Sequence, residues 1–84
     1  MISPNKAILE KISSIVSDVL DREEIELTEN MTAADVPGWD SLAHVQIIYS
    51  CETSIGARFT LEEISGLNTV GDLANIIKKY SDLQ

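Results

Sequence analysis

Over the first twenty positions Ile8, Ile12, Ile15, Val16 and Val19 recur at i, i+4, i+7, i+8 and i+11, the spacing of one apolar stripe on an α-helix. Ser3 is placed to cap that helix, and Pro4 to fill its first turn, where a missing N–H is no loss. From Asp21 to Asp40 the periodicity lapses: Pro37-Gly38 interrupts the chain, and Ile25, Leu27, Met31 and Val36 are scattered without a helical or alternating period. A connection of this length is either functional or conceals an element. Ile25 and Leu27 are expected to pin it to the core.

Asp40 can cap a second helix from Ser41 to about Ile55, with Gly56 as its stop signal. Its apolar residues form two sets: Ile47, Ile48, Cys51 and Ile55 share a core face, whereas Leu42, Val45 and Tyr49 form an adjacent stripe turned away from it. That second stripe asks for a partner. Thr60-Leu61-Glu62-Glu63 fits a capping box and predicts a short helix to about Ser65, ended by Gly66. Thr69-Val70-Gly71-Asp72 repeats the start signal, and Val70, Leu73, Ala74, Ile77 and Tyr80 trace a last amphipathic helix, with Lys78 and Lys79 near its negative end. No alternation persists anywhere long enough to predict a strand. The pattern predicts an all-α fold, a four-helix bundle of three longer helices and one short one, with a long loop between helices one and two. Residues 1–84 are expected to form a single domain.

Fourteen acidic side chains against six basic ones leave a formal charge of −8, yet hydrophobic residues make up 44% of the chain, too many for a disordered acidic tail. Such a surface repels phosphate backbones and anionic bilayers, so no nucleic acid and no membrane is expected as a partner. A basic protein surface suits it better. Cys51 is the one cysteine, which excludes an internal disulfide, and no Cys/His cluster offers zinc its four ligands. Residues 1–6 contain no apolar signal-peptide region and no stretch approaches the ~20 apolar residues of a membrane span, so a cytoplasmic monomer is expected.

Catalytic chemistry finds no footing. His44 and Cys51, seven positions apart on one helix, lie roughly 10 Å apart along its axis, too far for a thiolate–imidazole pair. His44 is expected to be an exposed helix residue, and Cys51 a small buried hydrophobe. The acids from Asp21 to Glu26 lack calcium-loop spacing and its glycine. What remains is Gly38-Trp39-Asp40-Ser41-Leu42, at the junction of the long loop and helix two. A serine in the first turn of a helix sits beside unpaired N–H groups and the positive end of the helix dipole, which favours an anionic substituent. Asp-Ser is also an ordinary capping pair.

In its context that segment resembles the acyl carrier protein family. The resemblance covers the helix-one stripe, the long loop, Asp40-Ser41-Leu42, the Phe59-Thr60-Leu61-Glu62-Glu63-Ile64 segment and Thr69-Val70-Gly71-Asp72-Leu73. It implies that Ser41 carries 4′-phosphopantetheine, donated from coenzyme A by a phosphopantetheinyl transferase with magnesium, that Asp40 helps present it to the transferase, and that Leu42 beside it meets the arm. It implies a carrier without catalytic activity of its own, whose acyl group rides as a thioester and is passed among acyl-loading and synthase-type enzymes. Leu42, Val45, Tyr49, Glu52, Glu62 and Glu63 are the expected partner-binding residues. Trp39 is expected to anchor the loop.

The chain departs from the family in its charge placement. Between Ser41 and Gly56 there is one acid, Glu52, and no Lys or Arg, while Asp18 to Asp40 holds eight acids against Arg22. That placement tells against a central role in fatty-acid synthesis, and the run Gly38-Trp39-Asp40-Ser41-Leu42-Ala43-His44-Val45 resembles a specialised stand-alone carrier of a secondary, polyketide or saccharide-modifying pathway. A peptidyl or aminoacyl carrier shares the fold and serine, and a small acidic interaction domain without a prosthetic group would use Ser41 only as a cap.

Overall fold

The apolar stripe of the first helix folds as its spacing predicts. In a computed structural model, which describes residues 6–23 and 25–82, helix α1 spans Lys6–Val19 and buries Ile12 and Val16 completely. The expected Ser3 cap and Pro4 lie outside the described residues. Helix α2 spans Ser41–Ile55 between its Asp40 cap and Gly56, which sits at φ +68° in the left-handed conformation that glycine adopts without strain. Helix α3 is the five-residue segment Leu61–Ser65, and α4 spans Val70–Asp82. No strand occurs among the described residues.

The three longer helices pack pairwise. Ile47, Ile48 and Cys51 of α2 meet Ile12 and Val16 of α1 and Val70, Leu73, Ala74 and Ile77 of α4, with Phe59 closing the core from the segment before α3. Each large aliphatic side chain removed from water contributes about 1.5–3 kcal/mol, and here the seam runs the length of three helices. Both capping boxes form. Thr60 Oγ1 accepts from the Glu63 N–H at 3.1 Å while Glu63 Oε1 accepts from the Thr60 N–H at 2.8 Å. Asp72 and Thr69 exchange the same pair of bonds at the start of α4, with an aspartate in the reciprocal role.

The long connection is not a free loop. It contains a 3-10 turn at Ala33–Asp35 that the hydropathy pattern does not reveal, and Leu27 and Val36 are buried while Ile25 packs partly against the core. Its backbone is tied at both ends of its path. Ser17 Oγ accepts the Ile25 N–H at 3.0 Å and donates to the Ser13 carbonyl at 2.8 Å, and Ser13 Oγ donates to the Ile25 carbonyl. Two buried hydroxyls on the core face of α1 thus satisfy both polar groups of one loop residue. Farther on, the carbonyls of Glu29 and Met31 accept the N–H groups of Gly71 and Val70 at 2.9 and 2.8 Å, so the loop supplies acceptors to orphan amides in the first turn of α4. Glycine permits this close approach: a Cβ on residue 71 would lie 3.0 Å from the Glu29 oxygen and 3.2 Å from its Cβ, so the loop would have to give by a few tenths of an ångström.

Ser17→Ala is expected to destabilise the fold by about 1–3 kcal/mol, because it strands the Ile25 N–H, whereas Ser14→Ala on the exposed side stays within about 0.5 kcal/mol. Urea titration of both variants checks this, and amide hydrogen exchange at Ile25 should quicken only in the first.

Candidate functional site

The site begins with a backbone turn. Gly38 lies at φ +92°, the Trp39 N–H reaches back to the Val36 carbonyl at 3.1 Å, and the chain enters α2 through Asp40 in an extended conformation. Asp40 Oδ1 accepts the Ala43 N–H at 2.9 Å and its carbonyl accepts the His44 N–H at 2.8 Å, closing the first turn. Ser41, the first helical residue, is exposed. The cap turns the Asp40 carboxylate toward the helix amides, and the serine side chain is left to solvent at the positive end of the helix dipole.

Below the serine, Leu42, Val45 and Tyr49 are 69%, 65% and 68% exposed, so the second stripe of α2 is unpartnered, as its spacing predicts. Leu61, at the start of α3, is 80% exposed, another large apolar group on the surface that the sequence analysis did not single out. No signal marked it, because its position after a capping threonine looks the same whether the leucine is packed or bare.

His44 corrects an expectation. It is half-buried, and its Nδ1 accepts the indole Nε1–H of Trp39 at 3.1 Å, the two ring centroids 6.1 Å apart. Trp39 packs partly against the core and anchors the end of the loop as expected. Behind the two rings is a cleft of about 40 Å³ lined by Ala33, Leu67, Val70 and Leu73.

The three acids expected at a partner rim divide. Glu62 is exposed. Glu52 Oε2 instead accepts the Phe59 N–H at 2.8 Å, bracing the segment between α2 and α3. Glu63 belongs to the capping box, and its carboxylate also accepts the Tyr80 hydroxyl at 2.6 Å and pairs with Lys79 at 3.1 Å. The Thr60 N–H, then the Tyr80 hydroxyl and Lys79, hold the Glu63 carboxyl down to about 2. The same bond to Glu63 pushes the Tyr80 phenol up. Burial pushes the Cys51 thiol up to about 12, so it stays a protonated core group. Among the described residues no three His, Cys, Asp or Glu side chains gather as a metal site, and no helix is long and apolar enough to cross a membrane.

An acidic four-helix bundle that presents an exposed serine beneath an aspartate cap has the architecture of small carrier proteins. The chain is 33% identical over 75 residues to an acyl carrier protein of Borreliella burgdorferi, covering 89% of this chain and 94% of that one. It is 32% identical over 72 residues to an acyl carrier protein of Thermotoga maritima, covering 86% and 89%. The solution structure of a holo acyl carrier protein from Geobacter metallireducens superposes with a TM-score of 0.82 at 36% identity, covering 89% of this chain and 86% of the other. No family model matches the chain. On these relatives the chain belongs to the acyl carrier protein family.

Because the Glu63 carboxyl titrates far below the 4.5 of an ordinary glutamate, its stabilising contribution is complete above about pH 4.5 and is lost as pH falls toward 2. Thermal unfolding of the wild type should therefore weaken more steeply over that window than that of Glu63→Gln. Asp72, held low by the Asn68 and Thr69 N–H groups, acts in the same direction in both proteins and leaves the difference to Glu63.

Proposed function

We propose that residues 1–84 act as one cytoplasmic carrier domain that takes 4′-phosphopantetheine on Ser41 and has no catalytic activity of its own. The observation that carries this reading is the exposed Ser41 at the first position of α2, with Asp40 capping the turn instead of shielding the hydroxyl. The residues present suit such a group: an anionic phosphodiester on Ser41 would meet the positive end of the helix, and the neighbouring acid is already engaged with a helix amide. When attached, the group supplies the thiol on which an acyl chain is held. The protein supplies the address: Asp40 fixes the turn, Ser41 the point of attachment, and Leu42 lies beside it.

The partners are a phosphopantetheinyl transferase and the acyl-loading and synthase-type enzymes that exchange the cargo. Docking on α2 is mainly apolar, through Leu42, Val45 and Tyr49, because the one acid of that helix, Glu52, is hydrogen-bonded to Phe59. Glu62 and the acids of the long connection steer a basic partner from the rim, where charge acts on association rate and salt dependence. This division suits a specialised biosynthetic partner.

Incubation with coenzyme A, magnesium and a broad-specificity transferase is expected to add one phosphopantetheinyl group by intact mass, and Ser41→Ala to add none. In titrations of the modified protein against a cognate enzyme, Tyr49→Ala and Leu42→Ala should each weaken binding by about 1–2 kcal/mol, more than Glu52→Gln or Glu62→Gln. Equal losses for the apolar and acidic variants would dismiss the apolar docking face.

A further inference from the structure

The residues that flank the Asp40-Ser41 pair are joined to each other. Trp39, the last residue before the cap, donates its indole N–H to His44 Nδ1, one turn into α2. Both are half-buried, their ring planes 31° apart, and Trp39 also packs against the core. Upstream stands Gly38 at φ +92°, which has no side chain with which to fix the segment. Beyond the capping Asp40, Trp39 is the nearest side chain before the serine that can fix the segment, and His44 is its polar contact. The serine lies inside a bracket whose two ends meet through one hydrogen bond.

We infer that His44 is a positioning residue for the modification of Ser41: its Nδ1 holds Trp39 against the first turn of α2, and this sets the orientation in which Asp40 and Ser41 are offered to the transferase. The inference rests on Ser41 being the attachment site. It requires one protonation state. Nδ1 accepts a hydrogen bond when the imidazole is neutral with its proton on Nε2, and a second proton turns that nitrogen into a donor facing a donor. The segments enclosing the pair carry three ionisable groups besides His44, namely Asp35, Asp40 and Asp72, and Arg22 reaches in from the start of the long connection to donate to the Pro37 carbonyl at 3.0 Å, two residues before Trp39. Asp35 accepts the Thr32 N–H, Asp40 that of Ala43, and Asp72 those of Asn68 and Thr69, so each of these carboxylates is held by its own segment.

Substitution separates the acceptor from the ring. Asparagine places Oδ1 at the same point along the side chain as Nδ1 and cannot change charge, whereas leucine keeps bulk and loses the acceptor. With coenzyme A, magnesium and a phosphopantetheinyl transferase, His44→Leu should lower kcat/KM for modification roughly tenfold, and His44→Asn should stay within about twofold of the wild type. The emission of Trp39, the one tryptophan in the chain, should shift in unmodified His44→Leu relative to the wild type and stay near the wild type in His44→Asn. Trp39→Phe removes the donor without touching α2 and should slow modification as His44→Leu does, which keeps the test decisive if the leucine variant is unfolded by circular dichroism. Modification of His44→Leu at the wild-type rate, equal slowing of His44→Asn and His44→Leu, or a Trp39 emission unchanged in His44→Leu would each overturn the positioning role. A wild type that gains no adduct, or a Ser41→Ala variant that does, overturns the attachment site itself.

Discussion

The connection between α1 and α2 crosses the bundle with many backbone polar groups outside any helix, and each one buried without a partner would cost about as much as a lost hydrogen bond. Ser13 and Ser17 answer this at Ile25 by placing two hydroxyls among the apolar residues of α1. Once Ile25 is held, Leu27 and Val36 can enter the core, and the carbonyls of Glu29 and Met31 come within reach of the first amides of α4. The exchange is mutual. The loop gains donors for its carbonyls, and α4 gains acceptors for its orphan N–H groups. The position of Ser41 follows, because the connection ends in the turn that delivers Asp40 to the start of α2.

Net charge is a poor guide to where this protein is negative toward a partner. Of the acids on and beyond α2, Glu52 braces the segment before α3, Glu63 ties α3 to α4, and Asp72 caps α4. These carboxylates act inside the fold. Glu62 and acids of the long connection remain on the surface, while the helix that bears the serine exposes leucine, valine and tyrosine. Negative charge and exposed apolar side chains thereby occupy different parts of one small surface.

The helices and their caps were legible because their signals are local. An apolar stripe, an aspartate before a serine, and a threonine three residues before a glutamate each concern groups within one turn. What escaped is what joins distant residues. Ser13 and Ser17 fall on the core face by spacing, but hydropathy treats serine as a surface residue, and nothing local announces that Ile25 will need them. The capping role of Glu63 was visible, and its bond to Tyr80, seventeen positions on, was not. His44 reads as a solvent-facing residue because no local rule pairs a helix residue with the indole of the preceding loop. The exposed stripe of α2 was legible, since three apolar residues at helical spacing beside a complete core face have nowhere else to go.

The cap and the proposed substituent draw on the same helix end. Asp40 and a phosphodiester on Ser41 would be two anions on adjacent residues, which in water repel by about 1 kcal/mol or less and by less again once salt screens them. The cap itself is worth about 1 kcal/mol, and the dipole offers each anion up to about the same. Repulsion and dipole attraction are thus of similar size. An aspartate beside Ser41 would therefore not oppose such a modification enough to matter, and the bundle should be nearly as stable with the group as without it. Such indifference suits a carrier, which must keep one shape for the transferase before modification and for its later partners afterwards.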